Sequence, residues 1–171
     1  GELEVLRGID LAVADHEVVG HRRGEARCDI LEQRRPRIGP VGHPELEPVF
    51  LVLGQPRSGT TLVAQCLNAH PDLVVPDETD VVVPLAFLVD RIEDPEVGRS
   101  MAATLVSTSK RFAGSLGEYL TAEQAAEVVR SAPWSLRGVL EALYGAVAEA
   151  GGGRLGGDKS PNDLKYLRAL L

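Results

Sequence analysis

Three short groups of polar residues in this chain could perform chemistry, and the most informative is a glycine-rich turn. It occupies residues 54–61, with the sequence Gly54-Gln55-Pro56-Arg57-Ser58-Gly59-Thr60-Thr61. An apolar run precedes the turn, and an amphipathic segment follows it. A turn between a strand and a helix aims backbone N–H groups at one point, and the helix dipole adds partial positive charge there. The pattern therefore predicts an anion site.

The spacing of this turn also limits which anion it can bind. The pattern of Gly54, Gly59 and the two threonines matches the phosphate loop of nucleotide enzymes, except that Thr60 replaces the lysine. A kinase or an ATPase needs that lysine for the charge on its β- and γ-phosphates. A ligand with a single phosphate in the loop needs it less, and Arg57 can supply the cation. The turn thus argues against ATP hydrolysis.

The other two groups are the turn Pro76-Asp77-Glu78-Thr79 and the segment Asp158-Lys159-Ser160-Pro161. Taken alone, Glu78 is typical of a solvated turn and Lys159 is typical of a protein surface. Lys159, however, follows a predicted strand and precedes a predicted helix. In an open parallel sheet this position lies at the carboxyl edge, where ligands bind.

The elements that must position these residues alternate between strands and helices. An apolar run predicts a fully buried strand over residues 49–54, and the short segment 154–158 is predicted to be a second strand. Helices are predicted over 59–69, from the apolar stretch 81–89 to near Ile92, over 122–131, from Pro133 to Gly151, and from Pro161 onward. This alternation predicts an α/β fold, a P-loop-like parallel sheet with flanking helices. We expect Cys66 to fill the core, on an apolar helix face shared with Leu62, Val63 and Leu67.

The composition excludes several classes of function. A net charge of −7 over 171 residues argues against nucleic acid and anionic membranes as partners. The two cysteines form no disulfide framework, and the four histidines show no metal-ligand spacing with them, so we predict no metal. No apolar stretch has the length needed to span a bilayer, and no signal peptide is visible. We therefore expect a cytoplasmic protein of undetermined oligomeric state.

Residues 1–47 differ from the rest and are predicted to be an N-terminal extension or linker. Residues 20–48 have no sustained helical or strand period and carry the cluster Arg34-Arg35-Pro36-Arg37. Residues 1–19 resemble the opening strands of an ATP-binding cassette ATPase, but no Walker loop follows them. A chance similarity in a short hairpin and a fused or mis-joined reading frame both stay open.

Taken together, the three groups resemble the sulfotransferase family, and the order Arg57, Glu78, Lys159 carries the resemblance. Residues 54–61 look like that family's 5′-phosphosulfate-binding loop. Two further segments are similar to the family, Leu67-Asn68-Ala69-His70-Pro71-Asp72-Leu73 and Asp77-Glu78-Thr79. Among its branches, the chain most resembles tyrosylprotein sulfotransferases and related bacterial enzymes. The resemblance covers residues 48–171 and is loose between 92 and 150.

The resemblance implies transfer of a sulfuryl group from 3′-phosphoadenosine 5′-phosphosulfate (PAPS) to an acceptor hydroxyl or amine, with no metal. Glu78 aligns with the general base that takes the acceptor proton, and Lys159 with the lysine that stabilises the bridging oxygen. Arg57 would pair with the 5′-phosphate and hold the transferring group. The rest of the donor site would come from Gln55, Pro56, Ser58, Gly59, Thr60 and Thr61. The acceptor would be a small molecule or a peptide.

Two departures from the family pattern bear on activity. Tyrosylprotein sulfotransferases have an arginine directly after the Glu-Thr pair, and Asp80 stands there in this chain, which argues against an acidic peptide acceptor. The chain also ends at Leu171, before the strand that carries the arginine and serine for the donor's 3′-phosphate. We therefore expect residues 48–171 to be the amino-terminal part of a sulfotransferase domain, with weak donor affinity and no turnover as given. A non-catalytic nucleotide- or phosphate-binding fragment is the alternative, and a P-loop ATPase or kinase ranks below it.

Overall fold

The computed structural model of the protein describes residues 49–166. Three strands are present in this part of the chain, β1 (Phe50–Val52), β2 (Leu73–Val74) and β3 (Leu155–Lys159). The five α-helices of the same part are α1 (Thr60–Asn68), α2 (Val82–Arg91), α3 (Pro95–Ser107), α4 (Ala122–Ser131) and α5 (Leu136–Ala150). Short 3₁₀ helices span Phe112–Gly114, Leu116–Glu118 and Pro161–Tyr166. The expectations for residues 1–47, and for a helix continuing past Tyr166, lie outside the described residues.

The three strands form one parallel sheet in the order β1-β3-β2, which confirms the predicted α/β class. In the central strand, Lys159 pairs with Val52 of β1, and Gly156 pairs with Val74 of β2. Because the strands are parallel, their carboxyl ends lie at the same edge of the sheet. The segments that follow β1, β2 and β3 must therefore start close together.

Strand β1 is shorter and less buried than predicted. It covers three residues instead of 49–54, and Phe50, Leu51 and Val52 are each only partly buried. Among the described strands β1 pairs only with β3, so its other side has no strand neighbour in residues 49–166. The apolar run identified the strand correctly but could not give its place in the strand order.

The prediction for the apolar face of α1 is wrong. Cys66 is exposed, Leu62 keeps 64% of its surface and Val63 keeps 48%. The buried positions of α1 are Thr60 and Ala64, which lie one turn apart. Their small side chains let the helix lie close to the sheet, so the large apolar residues face outward.

Two further helices differ from the sequence prediction. Helix α3 was not predicted, although the side chain of Asp94 caps it by accepting hydrogen bonds from the N–H groups of Glu96 and Val97, and Pro95 occupies its first turn. Helix α5 starts at Leu136 and not at Pro133, because Ser135 caps it by accepting a hydrogen bond from the Gly138 N–H. Helix α4 has the predicted bounds, 122–131, and it begins at a capping box formed by Thr121 and Gln124.

The core lies between the sheet and helices α2 to α5. Helix α5 contributes a stripe of buried apolar side chains to it, Val139, Leu140, Leu143 and Val147. Its Tyr144 is completely buried beside β3, and this contact leaves no room for a side chain at Gly156. A Cβ at Gly156 would lie 2.0 Å from the carbonyl oxygen of Tyr144, and one at Gly157 would lie 2.5 Å from the Phe50 ring.

We expect Gly156→Ala to lower the free energy of unfolding by about 2–3 kcal/mol, because the methyl group meets a backbone carbonyl that cannot rotate away. Gly145→Ala is the matched control. Gly145 lies in α5, the helix that β3 contacts, and a Cβ there would meet no atom of a neighbouring element within 4 Å. The control should raise the free energy of unfolding by about 0.5–1 kcal/mol, as alanine favours a helix interior over glycine. Urea unfolding measures both. Equal stability of the wild type and Gly156→Ala would contradict the contact between β3 and α5.

Candidate active site at the carboxyl edge of the sheet

All three groups of polar residues singled out from the sequence lie at the carboxyl edge of the sheet. The glycine-rich turn follows β1, residues 75–80 follow β2, and Lys159 is the last residue of β3. Strand β3 lies between the other two, so Lys159 is flanked by both preceding segments. The parallel arrangement alone explains how residues about 80 positions apart reach one edge.

The glycine-rich turn is tightly folded. The Ser58 N–H donates to the Gln55 carbonyl at 3.1 Å, and Gly59 caps α1 with a left-handed φ of 91°. A side chain at Gly54 would collide with Thr60 Cγ2 at 2.7 Å, so glycine is required there. Arg57 is also left-handed, with a φ of 68°, a conformation that costs a non-glycine residue about 1–2 kcal/mol. Such strain is typical of functional turns.

The start of α1 has free backbone donors. Its first helical hydrogen bond runs from the Val63 N–H to the Gly59 carbonyl, so the N–H groups of Thr60, Thr61 and Leu62 have no partner within the helix. No acidic residue occupies the first turn of α1. Arg57 is exposed and forms no hydrogen bond or ion pair with another side chain of residues 49–166. These features are those of an anion site at a helix N-terminus.

Lys159 is buried at this edge and is held by two carboxylates. Only 2% of its surface is exposed, and its Nζ donates to Asp77 Oδ1 at 2.6 Å and to Glu78 Oε1 at 3.2 Å. Burial alone would lower the pKa of Lys159, but the hydrogen bonds to the two carboxylates outweigh it and raise that pKa. The hydrogen bond from Lys159 in turn lowers the pKa of Asp77. An ammonium has three N–H donors, so one of them is left for a ligand.

Glu78 is paired through both carboxylate oxygens. Its Oε1 contacts Lys159, and its Oε2 lies 3.3 Å from Nη1 of Arg111. Arg111 also binds Asp80, with 2.5 Å between Nε and Oδ2. The sequence did not single out Arg111, since it follows α3 in a region without a motif and reaches Glu78 only through the fold. No local pattern could have found it.

A buried hydrogen-bond network holds the Glu78 turn against β3. Thr79 Oγ1 donates to Asp158 Oδ1 at 2.6 Å, and the Tyr144 hydroxyl donates to the same oxygen at 2.7 Å. Burial raises the pKa of Asp158, against the opposing effect of these hydrogen bonds, and burial also raises the pKa of Tyr144. Thr79 and Asp158 are the neighbours of Glu78 and Lys159 in sequence, so the network fixes the backbone on both sides of their contact.

A second tie joins the same turn to α1. Asn68, the last residue of α1, donates from Nδ2 to the Val75 carbonyl at 2.8 Å, and its Oδ1 accepts from the Val75 N–H at 2.7 Å. His70 Nδ1 accepts from the Asp72 N–H at 3.2 Å. These residues belong to the segment 67–73 that resembles the sulfotransferase family, and the structure gives them a positioning role.

In and after β3, a few buried polar atoms have no hydrogen-bond partner among residues 49–166. They are Asp158 Oδ2, Ser160 Oγ and Asp163 Oδ2. Burial, with the nearby charge of Asp158, raises the pKa of Asp163 to about 6. Among residues 49–166 there is no group of three or more side chains suited to a metal ion, and no helix there is long and apolar enough to cross a bilayer.

The structure thus brings two of the three expected catalytic side chains, Glu78 and Lys159, into direct contact. The third, Arg57, lies in the turn after β1 at the same edge, with no hydrogen bond to either of them. Gln55, Pro56, Ser58 and Gly59 surround Arg57 in sequence and are exposed, while Thr60 is buried at the start of α1. The arrangement can bind an anion on one side of β3 and hold a paired acid and base on the other.

Comparison with known proteins gives one match. A sequence model of the sulfotransferase family matches residues 48–171, more than half of the chain. Neither a curated protein nor a solved structure gives a match.

Proposed function

Because the chain belongs to the sulfotransferase family, we propose that it takes a sulfuryl group from PAPS and transfers it to an acceptor hydroxyl or amine. One observation carries the proposal beyond the family. A buried lysine contacts a carboxylate at the sheet edge where an exposed anion loop begins. A proton acceptor, a cation for a leaving oxygen and a phosphate site are the parts that this reaction needs.

The reaction runs in line through a loose transition state, by analogy with phosphoryl transfer, so positioning and charge stabilisation dominate catalysis. Glu78 accepts the proton of the attacking hydroxyl or amine as its bond to sulfur forms. Lys159 donates a hydrogen bond to the bridging oxygen, which leaves with the phosphate as its bond to sulfur breaks. The sulfuryl group changes carrier, and no electrons are gained or lost.

In the proposed donor site, Arg57 pairs with the 5′-phosphate and holds the transferring group. The N–H groups of Gly59, Thr60 and Thr61 bind the phosphate oxygens, and the Ser58 and threonine hydroxyls add donors. Gln55 and Pro56 shape the loop that aims them. The left-handed backbone at Arg57 supports this role, since strain is retained where the fold requires a particular geometry.

The chain's own chemistry disfavours a P-loop ATPase or kinase. Asp158 lies on β3, the strand next to β1, where such enzymes place an acidic magnesium ligand. Here Oδ1 of Asp158 accepts two hydrogen bonds from buried hydroxyls, which commits this carboxylate to the core. The loop also has Thr60 in place of the lysine. We further propose a cytoplasmic location and a small-molecule or peptide acceptor. The net charge of −7 supports the proposal that the protein binds neither nucleic acid nor anionic membranes.

Calorimetric titration of adenosine 3′,5′-bisphosphate tests the donor site. We expect Arg57→Ala to weaken binding about 10- to 100-fold, because a charge-assisted hydrogen bond to phosphate contributes about 1.5–3 kcal/mol. Arg154→Ala is the matched control, since Arg154 is also exposed but precedes β3, at the opposite edge of the sheet. The control should bind like the wild type.

The titration is paired with a transfer assay that uses sulfur-labelled PAPS and a panel of phenols, alcohols and amines. Both measurements are made on this chain and on a version that carries any further sequence its gene encodes after Leu171. Bisphosphate binding without transfer to any acceptor would favour the non-catalytic alternative. Absence of binding in both proteins, or magnesium-dependent ATP turnover, would contradict the proposed donor.

A further inference from the structure

The short segment after α3 contacts the Glu78 turn at three points. Ser109 Oγ donates to the Thr79 carbonyl at 3.3 Å. Two residues later, Arg111 contacts Glu78 Oε2 at 3.3 Å through Nη1 and Asp80 Oδ2 at 2.5 Å through Nε. The three contacts cover three consecutive residues of the turn. They come from a part of the chain that carries no recognised motif.

We propose that Arg111 is a positioning residue that fixes the orientation of the Glu78 carboxylate for proton transfer. This inference rests on the function proposed above. A carboxylate held at only one oxygen can rotate about its last side-chain bond. With Lys159 at Oε1 and Arg111 at Oε2, the Glu78 carboxylate is held at both. Arg111 therefore fixes the plane in which the Glu78 carboxylate faces Lys159.

Asp80 is the anchor that keeps Arg111 in place. It follows Thr79 in a left-handed conformation, with a φ of 55°, which aspartate tolerates better than most residues. The planar guanidinium reaches two separate carboxylates through Nε and Nη1, which a lysine ammonium, as a single point charge, does less well. Asp80, which stands where tyrosylprotein sulfotransferases have an arginine after the Glu-Thr pair, is thus paired with an arginine from elsewhere in the chain.

Stability alone does not account for this arrangement. The Arg111 side chain is 49% exposed and that of Asp80 is 44% exposed, and ion pairs at such exposure contribute little to folding. A residue that orients a catalytic base, in contrast, affects the rate more than substrate binding, because small displacements of the base lower the rate steeply. The two roles therefore predict different measurements.

We expect Arg111→Ala to lower kcat about tenfold, leave KM for the acceptor within a factor of two, and shift Tm by no more than about 3 °C. Arg111→Lys, which can reach one carboxylate at a time, should recover part of the loss. Asp80→Asn, which releases the anchor but leaves Arg111 in place, should fall between Arg111→Ala and the wild type. Arg130→Ala is the matched control, because Arg130 is 52% exposed and pairs with Glu127 on α4, away from the site.

Other results would overturn the proposal. A higher KM with unchanged kcat in Arg111→Ala would make Arg111 an acceptor-binding residue. A Tm loss well beyond that of Arg130→Ala would make it structural. Unchanged kinetics in Arg111→Ala would show that the contact has no role in the reaction.

A measurement without turnover separates this proposal from the proposed function. We expect the Nε–H of Arg111 to exchange slowly with water in NMR spectra of the wild type, because its nitrogen lies 2.5 Å from Asp80 Oδ2 in an ion pair. The protection should be lost in Asp80→Asn. If the protein sulfates no acceptor, the proposed function fails, yet a protected Nε–H still supports the inference that Asp80 holds Arg111 in place. Fast exchange in the wild type would overturn the positioning role proposed for Arg111, whatever the activity of the protein.

Discussion

In the protein that shows transfer, this chain or its version extended past Leu171, Lys159→Ala is expected to lower the rate constant of sulfuryl transfer about 10²–10³-fold while changing the affinity for adenosine 3′,5′-bisphosphate less than about threefold. The size of the loss is that of removing one preorganised donor from a developing negative charge. The affinity changes little because the bridging oxygen acquires its charge only as the bond to sulfur breaks. Single-turnover assays measure the rate, and calorimetry measures the affinity.

Two features of the structure make Lys159 suited to this role. It is almost completely buried, so its charge is poorly screened by water, and its pKa is raised by Asp77 and Glu78 despite that burial. It therefore stays protonated throughout the neutral range, and we expect no loss of activity from its deprotonation below about pH 10. Lys165→Ala serves as the control, because Lys165 is an exposed lysine that lies over the Tyr166 ring a few residues later.

The outcome discriminates between two roles for the lysine. Equal losses of affinity and rate in Lys159→Ala would make Lys159 a residue that only binds the donor. Removal of the ammonium also leaves Asp77 and Glu78 side by side, so thermal unfolding must show that the variant is folded. Asp77 is 68% exposed, which lets water replace its lost partner.

The sequence predicted the site through topology more than through individual residues. Lys159 taken alone is an ordinary surface lysine, but its place between a strand and a helix put it at the carboxyl edge, where the structure has it. The contact between Glu78 and Lys159 follows from the parallel order of β2 and β3, because both residues lie just past the same edge. Local patterns identify such positions because strand and helix signals are themselves local.

What could not be predicted depends on contacts between distant parts of the chain. Arg111 meets Glu78 only because the segment after α3 returns to the turn after β2, and Tyr144 meets Asp158 only because α5 packs against β3. The apolar periodicity of α1 showed which residues share a face but not which face the protein covers, so Cys66 was wrongly placed in the core. Strand β2 has two residues, too few for any period to show.

The role of Glu78 leads to the second large effect. We expect Glu78→Gln to lower the transfer rate about 10²–10⁴-fold, the range for loss of a general base, with donor affinity close to that of the wild type. Glutamine keeps the size of the side chain, and its one carbonyl oxygen can still accept a hydrogen bond from Lys159. It cannot take up the acceptor proton. The rate is measured with donor and acceptor both saturating, so that altered binding does not contribute.

Asp77 is the internal control, because it lies beside Glu78 and binds the same lysine more closely, at 2.6 Å against 3.2 Å. Its pKa is lowered, chiefly by the hydrogen bond from Lys159, and a carboxylate with a lowered pKa is a weaker base. Asp77→Asn should therefore cost less than about tenfold in rate, through a less firmly held Lys159. A larger loss in Asp77→Asn than in Glu78→Gln would move the role of base to Asp77. Such a result would leave Lys159 and the anion loop in their proposed roles, since neither depends on which carboxylate accepts the proton.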